Sequence, residues 1–583
     1  MVETIKSGIA MLKTLESWDV DHIYGIPGGS INSLVYALRD EETAGHIRYI
    51  HVRHEEVGAL AAVSDGRVTG KIGVAFGSAG PGATHLYQGV YDAKMDKVPT
   101  LFIVGQVGQA QMNMDFFQEQ DEAQLFGDGA VYNRTVMTAE SLPHVVDEAV
   151  RQAYVNHGPA VVVIPNDLAD KEIPADGYYS AAANFRKAEA PAPTDEQVDD
   201  ALTLIKQAKK PILYIGQGVR GAADEAMELS QKLQLPIAYA ALAKDVIPYD
   251  FPALLGSAMR VASKPANEAM AETDLILFVG SNFPFAEILF NPNAKFIQID
   301  SNPAVLGKRH KTEVAMWADA KKALRKLNDR AEKAADSDWY QANIANADNW
   351  RDYNEQMMNK TDGELRFEPV FKEINRIATD DALFSIDVGD VTQNSVRLIK
   401  NTGKQRSYTS GLFATMGSGL PGAIAAQLSF PDKQVFSLAG DGAESMVMQD
   451  LITENLYHLP IINVVFKNEE LGFIVDEQED DEQRRFGVSL GNVDFAKVAE
   501  AHGVTGISVT KQSELQKAFD EAREITKRGE PVLIDVQITG ERPIPVEKLE
   551  LDPDKFTDEA ISRFRKRYYA QELKTLKEFE KES

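Results

Sequence analysis

The chain of 583 residues contains no cysteine. That absence removes disulfides, zinc-thiolate sites, iron-sulfur clusters and thiol nucleophiles together. It says little about compartment. Long apolar runs are missing as well, and no stretch reaches the length that a membrane-spanning helix requires. Near the N-terminus Ile5, Ile9, Leu12 and Leu15 recur at helical spacing, but Glu3, Lys6, Lys13 and Glu16 interrupt them. Such a segment is no signal peptide. Positive charge is scarce: 61 Lys and Arg face 88 Asp and Glu, a formal net charge of −27. That field repels polyanions, so nucleic acid and anionic membrane are poor partners, and an anionic substrate needs local cations or a metal. The expectation is a cytoplasmic enzyme of three or four domains.

The punctuation of the sequence divides the chain. Over residues 1–186, β-rich runs such as Ile47-Arg48-Tyr49-Ile50 alternate with helical patterns, ending in the apolar run Ala160 to Ile164 before Pro165. A Pro/Ala-rich stretch around residues 187–197 then separates a second alternating block, expected to occupy 187–336. A softer boundary lies in the polar, Asn-rich and Asp-rich stretch from Asp336 to Gly363, and a third block fills 337–552. Serial alternation of this kind implies an α/β protein with three separate, doubly wound parallel sheets. Residues 553–583 read as a helical tail capped by Thr557, with Ile561, Phe564, Tyr568, Leu576 and Phe579 among basic residues. Glu572, Glu578 and Glu580 dilute its positive charge, which favours packing on the protein over lying on a membrane.

Four motifs carry chemistry. The first is Gly440-Asp441-Gly442, after the apolar run Val435 to Ala439, followed one crossover later by Asn468 after Ile461 to Phe466. Both polar residues then sit at carboxyl ends of parallel strands, where open α/β sheets bind ligands. Asp441, Asn468 and the carbonyl of Glu470 can supply three oxygens to Mg²⁺, leaving the remaining positions to a diphosphate and water. Gly442 and Ala443 bring backbone N–H groups to the anion. Asp-Gly is also an ordinary turn, and that reading stands beside the metal one. The second motif is Arg53-His54-Glu55-Glu56, which places glutamates in the first turn of a helix, where dipole stabilisation alone is worth about 0.3–1 kcal/mol. The third, Phe76-Gly77-Ser78-Ala79-Gly80-Pro81-Gly82, is a glycine-rich turn that admits close backbone approach or is simply tight. The fourth, Gly216-Gln217-Gly218-Val219-Arg220-Gly221, follows the apolar run Pro211 to Ile215 and fits G-x-G-x-x-G in the context a dinucleotide needs. Two further strand ends, at Asn282 and Asp300, carry polar groups suited to phosphate or ribose.

Together, Glu55, the Asp441 to Asn468 clamp and three serial α/β blocks resemble the thiamine-diphosphate-dependent decarboxylases over nearly the whole chain. Tyr24-Gly25-Ile26-Pro27-Gly28-Gly29-Ser30, Phe117-Gln118, Lys264 to Glu268, Asn282 to Glu287 and Phe413-Ala414-Thr415-Met416-Gly417 are similar to the FAD-containing pyruvate oxidase group of that family. The resemblance implies thiamine diphosphate, Mg²⁺ and FAD as cofactors, with pyruvate, phosphate and O₂ converted to acetyl phosphate, CO₂ and H₂O₂. Acetolactate synthase and a quinone-linked pyruvate dehydrogenase share the scaffold and are the alternatives. An inactive cofactor-binding scaffold would lack Glu55 or the metal pair, and both are present.

By the same resemblance Glu55 activates the aminopyrimidine, Met416 bends the cofactor, and Phe117, Gln118, Phe473 and Glu477 line the substrate and flavin cleft. Thiamine diphosphate contacts are implied for Gly29, Ser30, Gly389, Ala414, Gly440, Gly442, Ala443 and Ser445. FAD contacts are implied for Gly216, Gly218, Val219, Arg260, Asn282, Asp300, Asp319 and Ala320. Family members place the thiamine cofactor between two subunits, so a homodimer is the minimum and a homotetramer is expected. Two residues depart from the pattern. Glu444 stands beside the diphosphate loop in place of a small apolar residue; facing a phosphate charge from ~6 Å it would cost roughly 0.7–3 kcal/mol, so it is expected to turn away. Leu471 occupies a place often aromatic in relatives, which bears on substrate preference.

Overall fold

The computed structural model describes residues 3–258, 261–286, 290–539, 552–569 and 573–582. Its framework is three six-stranded sheets, each built from short apolar runs that have helices on both faces. A two-stranded antiparallel pair, β1 (Thr4–Lys6) with β8 (Glu172–Pro174), closes the first region. Between them β2 (His22–Gly25), β3 (Arg48–His51), β4 (Gly73–Gly77), β5 (Thr100–Gln106), β6 (Tyr132–Thr135) and β7 (Pro159–Pro165) form a parallel sheet in the order β3-β2-β4-β5-β7-β6. The second sheet uses β9 (Pro211–Ile215), β10 (Ile237–Tyr239), β11 (Leu254–Ser257), β12 (Leu275–Val279), β13 (Lys295–Asp300) and β14 (Val314–Trp317), ordered β11-β10-β9-β12-β13-β14. The third uses β15 (Leu383–Ile386), β16 (Arg406–Tyr408), β17 (Val435–Gly440), β18 (Ile461–Lys467), β19 (Thr505–Val509) and β20 (Val532–Gln537), ordered β16-β15-β17-β18-β20-β19. The expected α/β class with three doubly wound parallel sheets is what the chain adopts.

Each sheet has a central point where its winding reverses, and that reversal places the motifs. The switch lies between β2 and β4 in the first sheet, between β9 and β12 in the second and between β15 and β17 in the third. Loops on either side of a switch point diverge and open a crevice beyond the strand ends. The loops at these three crevices are the glycine-rich ones: Gly28-Gly29 and Gly77 to Gly82, then Gly216 to Gly221 and Gly280, then Gly389 and Gly440 to Gly442.

Alternating side chains divide the core. Along β5, Leu101 and Ile103 enter one cluster with Ile23 and Phe76, whereas Phe102 and Val104 enter another. This second cluster runs into Leu420, Ala423 and Ile424 of the third domain's helix Gly419–Ser429 and Val435 of its sheet, so the outer domains share a core. The joint is the helix Glu55–Thr69 against the helix Gly419–Ser429. Both faces are rich in Gly and Ala, and small side chains let the two backbones approach. In the third sheet the crossover helix after the clamp is broken: Asp441–Val447 and Leu451–Tyr457 flank a tight turn at Met448–Asp450, where Asp450 Oδ1 accepts from Arg53 N at 2.9 Å and from Thr453 Oγ1 at 2.8 Å.

The polar stretch from Asp336 to Gly363 contains the helix Asp338–Met358, with Trp339, Tyr340, Ala342, Ala347 and Trp350 buried. The tail packs on the protein as expected. Leu576, at the start of the helix Leu576–Glu582, is buried against this region, and fully buried Lys264 donates to Glu268 at 3.0 Å, to Asn346 at 2.6 Å and to the Lys574 carbonyl. Among the described residues, no helix is long and apolar enough to cross a membrane.

Candidate active site

Parallel pairing sets Gly440 opposite Phe466, so Asp441 and Asn468 emerge side by side from β17 and β18. Asp441 is buried, with Oδ1 accepting from Gly442 N at 3.0 Å and Oδ2 from Glu469 N at 2.7 Å. Burial pushes its pKa up to about 6, and the nearby Glu469 charge adds to the effect. A carboxylate so placed is a strong partner for a cation. Asn468 Oδ1 accepts from Glu470 N at 3.2 Å. Between them Glu469 adopts a left-handed φ of 63°, turning the chain sharply at the clamp, and the Glu470 carboxylate is drawn off to Arg485 at 3.1 Å. On the facing loop Asp387 accepts from Val388 N at 2.7 Å, Gly417 N at 3.0 Å and Gly419 N at 2.7 Å. Met416 lies directly over the clamp loop: a Cβ on Gly442 would come within 3.1 Å of its methyl, and Gly440 and Gly389 open onto free space.

A cavity of about 1020 Å³ extends from this clamp to the second sheet. Gly389, Ala414, Met416, Gly440 to Ala443, Asn468, Glu470, Phe473 and Glu477 line one end; Gly216, Gly218, Asn282 and Asp300 line the other. Phe473 and Glu477 reach it from the helix Gly472–Asp480. At the far end the glycines serve an interlock between two loops. A Cβ on Gly218 would stand 2.7 Å from Gly280 Cα, one on Gly216 would stand 2.3 Å from Gly280 O, and Gly280 itself has φ of 61°. Asp300 Oδ1 accepts from Asn302 N at 2.8 Å, and burial raises its pKa.

A second group of residues assembles in the first sheet's crevice. Glu55 opens the helix Glu55–Thr69, is nearly buried, and has His85 Nδ1 2.9 Å from Oε2. Its Oε1 faces Gly82, where a Cβ would stand 3.2 Å away, so the Arg-His-Glu-Glu and glycine-rich motifs meet. Ser30 Oγ accepts from Ala79 N at 2.6 Å, and Gly29 opens onto free space. Gln118, with φ of 63°, lies against Gly80, and the neighbouring Phe117 is 78% exposed. None of Gly29, Ser30, Glu55, Phe117 and Gln118 lines the large cavity.

Three family models match in series: the thiamine pyrophosphate enzyme N-terminal TPP binding domain over residues 5–125, the central domain over 198–327 and the C-terminal TPP binding domain over 387–536. The chain belongs to the thiamine pyrophosphate enzyme family. Its relatives include the protein named "Pyruvate oxidase" of Lactiplantibacillus plantarum, 49% identical across 99% of this chain and 96% of that one. The "Putative thiamine pyrophosphate-containing protein YdaP" of Bacillus subtilis is 41% identical across 92% of each chain. The "Acetolactate synthase isozyme 1 large subunit" of Escherichia coli is 31% identical across 91% of this chain and 93% of its own.

The donor set fits the family's cofactor. A buried carboxylate, an amide oxygen and a sharply turned backbone form an all-oxygen site beside a glycine loop with room for a diphosphate. Other expected contacts sit differently. Val219 is wholly buried in the middle domain's core, Asp319 caps the helix Ala320–Arg330 through Lys322 N at 2.9 Å with Ala320 behind it, and none of the three lines the cavity. Ser445 Oγ donates to the Asp441 carbonyl at 2.7 Å. Arg260 and Glu287 lie outside the described residues. Glu444 turns away from the cavity and is fully buried. Sequence reasoning overlooked His85 and Asp387, and also the cavity wall that the first domain supplies from Lys94 to Lys97 and at His157. Asp387 had a readable signal, an acidic residue directly after an apolar strand; the wall had none, because it is made by packing between domains.

Proposed function

We propose that this chain is a pyruvate oxidase, converting pyruvate, phosphate and O₂ into acetyl phosphate, CO₂ and H₂O₂. The observation that carries the reading is the single cavity joining the clamp of Asp441 and Asn468 to the Gly216 and Gly280 loops. A thiamine cofactor at the clamp and a flavin at the glycine loops would then share one enclosure, the arrangement an electron transfer between them needs. The 49% identical relative bears the name of this activity, and the acetolactate synthase cited above stands at 31%.

When bound, thiamine diphosphate supplies the electron sink for decarboxylation and FAD the two-electron acceptor. Asp441, Asn468 and the Glu470 carbonyl would hold Mg²⁺, and Gly442 and Ala443 would offer N–H groups to the diphosphate. Glu55 would hold the proton at a pyrimidine nitrogen, with His85 fixing its carboxylate. Met416 would support the cofactor beside the clamp loop, and Phe473 and Glu477 would close the substrate end against water. Gly216, Gly218, Asn282 and Asp300 would receive the flavin nucleotide.

The Glu55 group and the metal clamp lie in separate crevices of one chain, which supports a site completed by a second copy. Exposed Phe117 and Met114 on the loop beside Glu55 are the kind of apolar surface another subunit covers. We therefore read the working unit as a homodimer at least, with a homotetramer as the expected assembly. The deciding assay incubates the protein with pyruvate, thiamine diphosphate, Mg²⁺ and FAD, with and without phosphate. Phosphate-dependent acetyl phosphate with an equal amount of peroxide is expected. Phosphate-independent acetolactate without peroxide would overturn the oxidase reading in favour of a synthase.

A further inference from the structure

The two ends of the cavity are tied together by a chain of ion pairs and hydrogen bonds centred on buried Asp245 and Arg67, and part of that chain, at Asp96, Leu242 and Ser410 to Leu412, forms the cavity wall itself. It begins in the Gly216 turn, where Arg220 donates through Nη1 to Asp245 Oδ2 at 2.6 Å and through Nη2 to the Leu242 carbonyl at 2.7 Å. Asp245 is 4% exposed, and the same Oδ2 accepts from Arg406 Nε at 3.0 Å and Ser407 N at 3.2 Å. One carboxylate oxygen thus joins the flavin-side turn to β16 of the third sheet. Arg406 Nη2 continues to the Arg67 carbonyl at 3.1 Å, and Arg67 pairs with Asp92 and Asp96, each at 2.7 Å.

Those two carboxylates hold the loop that presents Met416. Asp92 accepts from Ser410 Oγ at 2.7 Å, and Asp96 accepts from Gly411 N at 3.0 Å and Leu412 N at 2.8 Å. Ser410 Oγ in turn accepts from Thr415 N at 3.1 Å, bracing Ala414, whose φ of 58° is left-handed. A parallel contact shortens the route: a Cβ on Gly411 would stand 2.7 Å from both methyls of Leu242, the residue whose carbonyl Arg220 holds. The Gly216 turn and the Met416 loop are therefore linked through shared partners. Buried charges with few alternative partners favour discrete arrangements over gradual ones.

We propose that Asp245 is a positioning residue that couples the two cofactor loops, so that ordering the flavin turn preorganises the thiamine loop and the reverse. The inference rests on the cofactor placement given above. Coupling of this kind is reciprocal, each ligand tightening the other by the same factor.

The test titrates FAD into the full-length protein, by quenching of flavin fluorescence, with and without saturating thiamine diphosphate and Mg²⁺. In the unaltered protein FAD is expected to bind at least about fivefold tighter when the thiamine cofactor is present. Asp245→Asn should bring that ratio below about twofold, and Ser410→Ala, which cuts the far end without stranding a buried charge, should do likewise. Asp65→Asn is the control for a merely structural role. Asp65 is also buried and also joins the outer domains, through His22 Nε2 at 2.9 Å and Ser429 Oγ at 2.9 Å, but touches neither loop. It should lower thermal stability and leave the ratio unchanged. An intact ratio in both Asp245→Asn and Ser410→Ala, an equal loss in Asp65→Asn, or no coupling in the unaltered protein would overturn the proposal. Failure of FAD to bind the unaltered protein at all would instead overturn the cofactor placement, and the proposal with it.

Discussion

Glu444 shows how a single residue departs from its surroundings. It stands three positions after Asp441, yet its side chain is 0% exposed and both carboxylate oxygens lack a hydrogen-bond partner among the described residues. Burial pushes its pKa up to about 8, with Asp387 adding to the effect, and burial likewise raises that of neighbouring Glu454. Near neutral pH the group is therefore mostly an uncharged acid, which removes the repulsion a diphosphate would otherwise meet. Because the folded-state value exceeds the ordinary value of 4.5, the folded chain binds the proton more tightly than the unfolded one. Its contribution to stability is full below about pH 4.5 and is lost as pH rises to about 8. Glu444→Gln has no such dependence, and Asp387, Asp441 and Asp450, each pushed up to about 6, are common to both proteins. Melting scans from pH 5 to 9 should show the variant gaining on the parent by an amount on the order of 3–4 kcal/mol up to pH 8, then levelling off. Parallel melting curves would mean that Glu444 is ionised throughout.

The elements were the most legible part of this molecule, and their failures have physical causes. Apolar runs of four to seven residues ending in Gly, Asp or Asn became strands in parallel sheets, and the residues following them became the crevice loops. The long helix Asp338–Met358 escaped because its buried Asn343 and Asn346 made the stretch look merely polar; the first donates to the Trp339 carbonyl at 2.8 Å and the second meets Lys264 and Glu268. Polar residues that find partners inside a core are invisible to a hydrophobic pattern. The G-x-G-x-x-G match was read correctly as a turn before a helix, but the reason for its glycines lies in a second loop 60 or so residues away, at Gly280. Gly218→Ala tests that reason. Its Cβ would meet backbone on Gly280, which cannot swing aside as a side chain can, so the two loops must part. The dissociation constant for FAD should rise about tenfold, corresponding to about 1.4 kcal/mol. Unaltered FAD affinity would show that the interlock does not shape the flavin end of the cavity.

At the scale of the whole molecule the candidate site was legible as two halves but not as a unit. Asp441, Asn468 and Glu55 stood out because their chemistry is written in short motifs; which crevice faces which is set by packing between domains and between copies, and no motif records it. The helix Glu55–Thr69 is fixed against the third domain of its own chain through Gly and Ala contacts, leaving Glu55 and the exposed Phe117 loop turned to a different crevice from the metal clamp. If two copies complete each other's sites, a dimer of Glu55→Gln with Asp441→Ala concentrates both defects in one site and leaves the other intact. Neither variant alone should turn over pyruvate appreciably. Co-refolded in equal amounts, they should recover about a quarter of the unaltered activity, since half of randomly formed dimers are mixed and each has one working site of two. If instead Glu55 served the clamp of its own chain, every site in the mixture would carry one defect or the other. The mixture would then be as inactive as its parts.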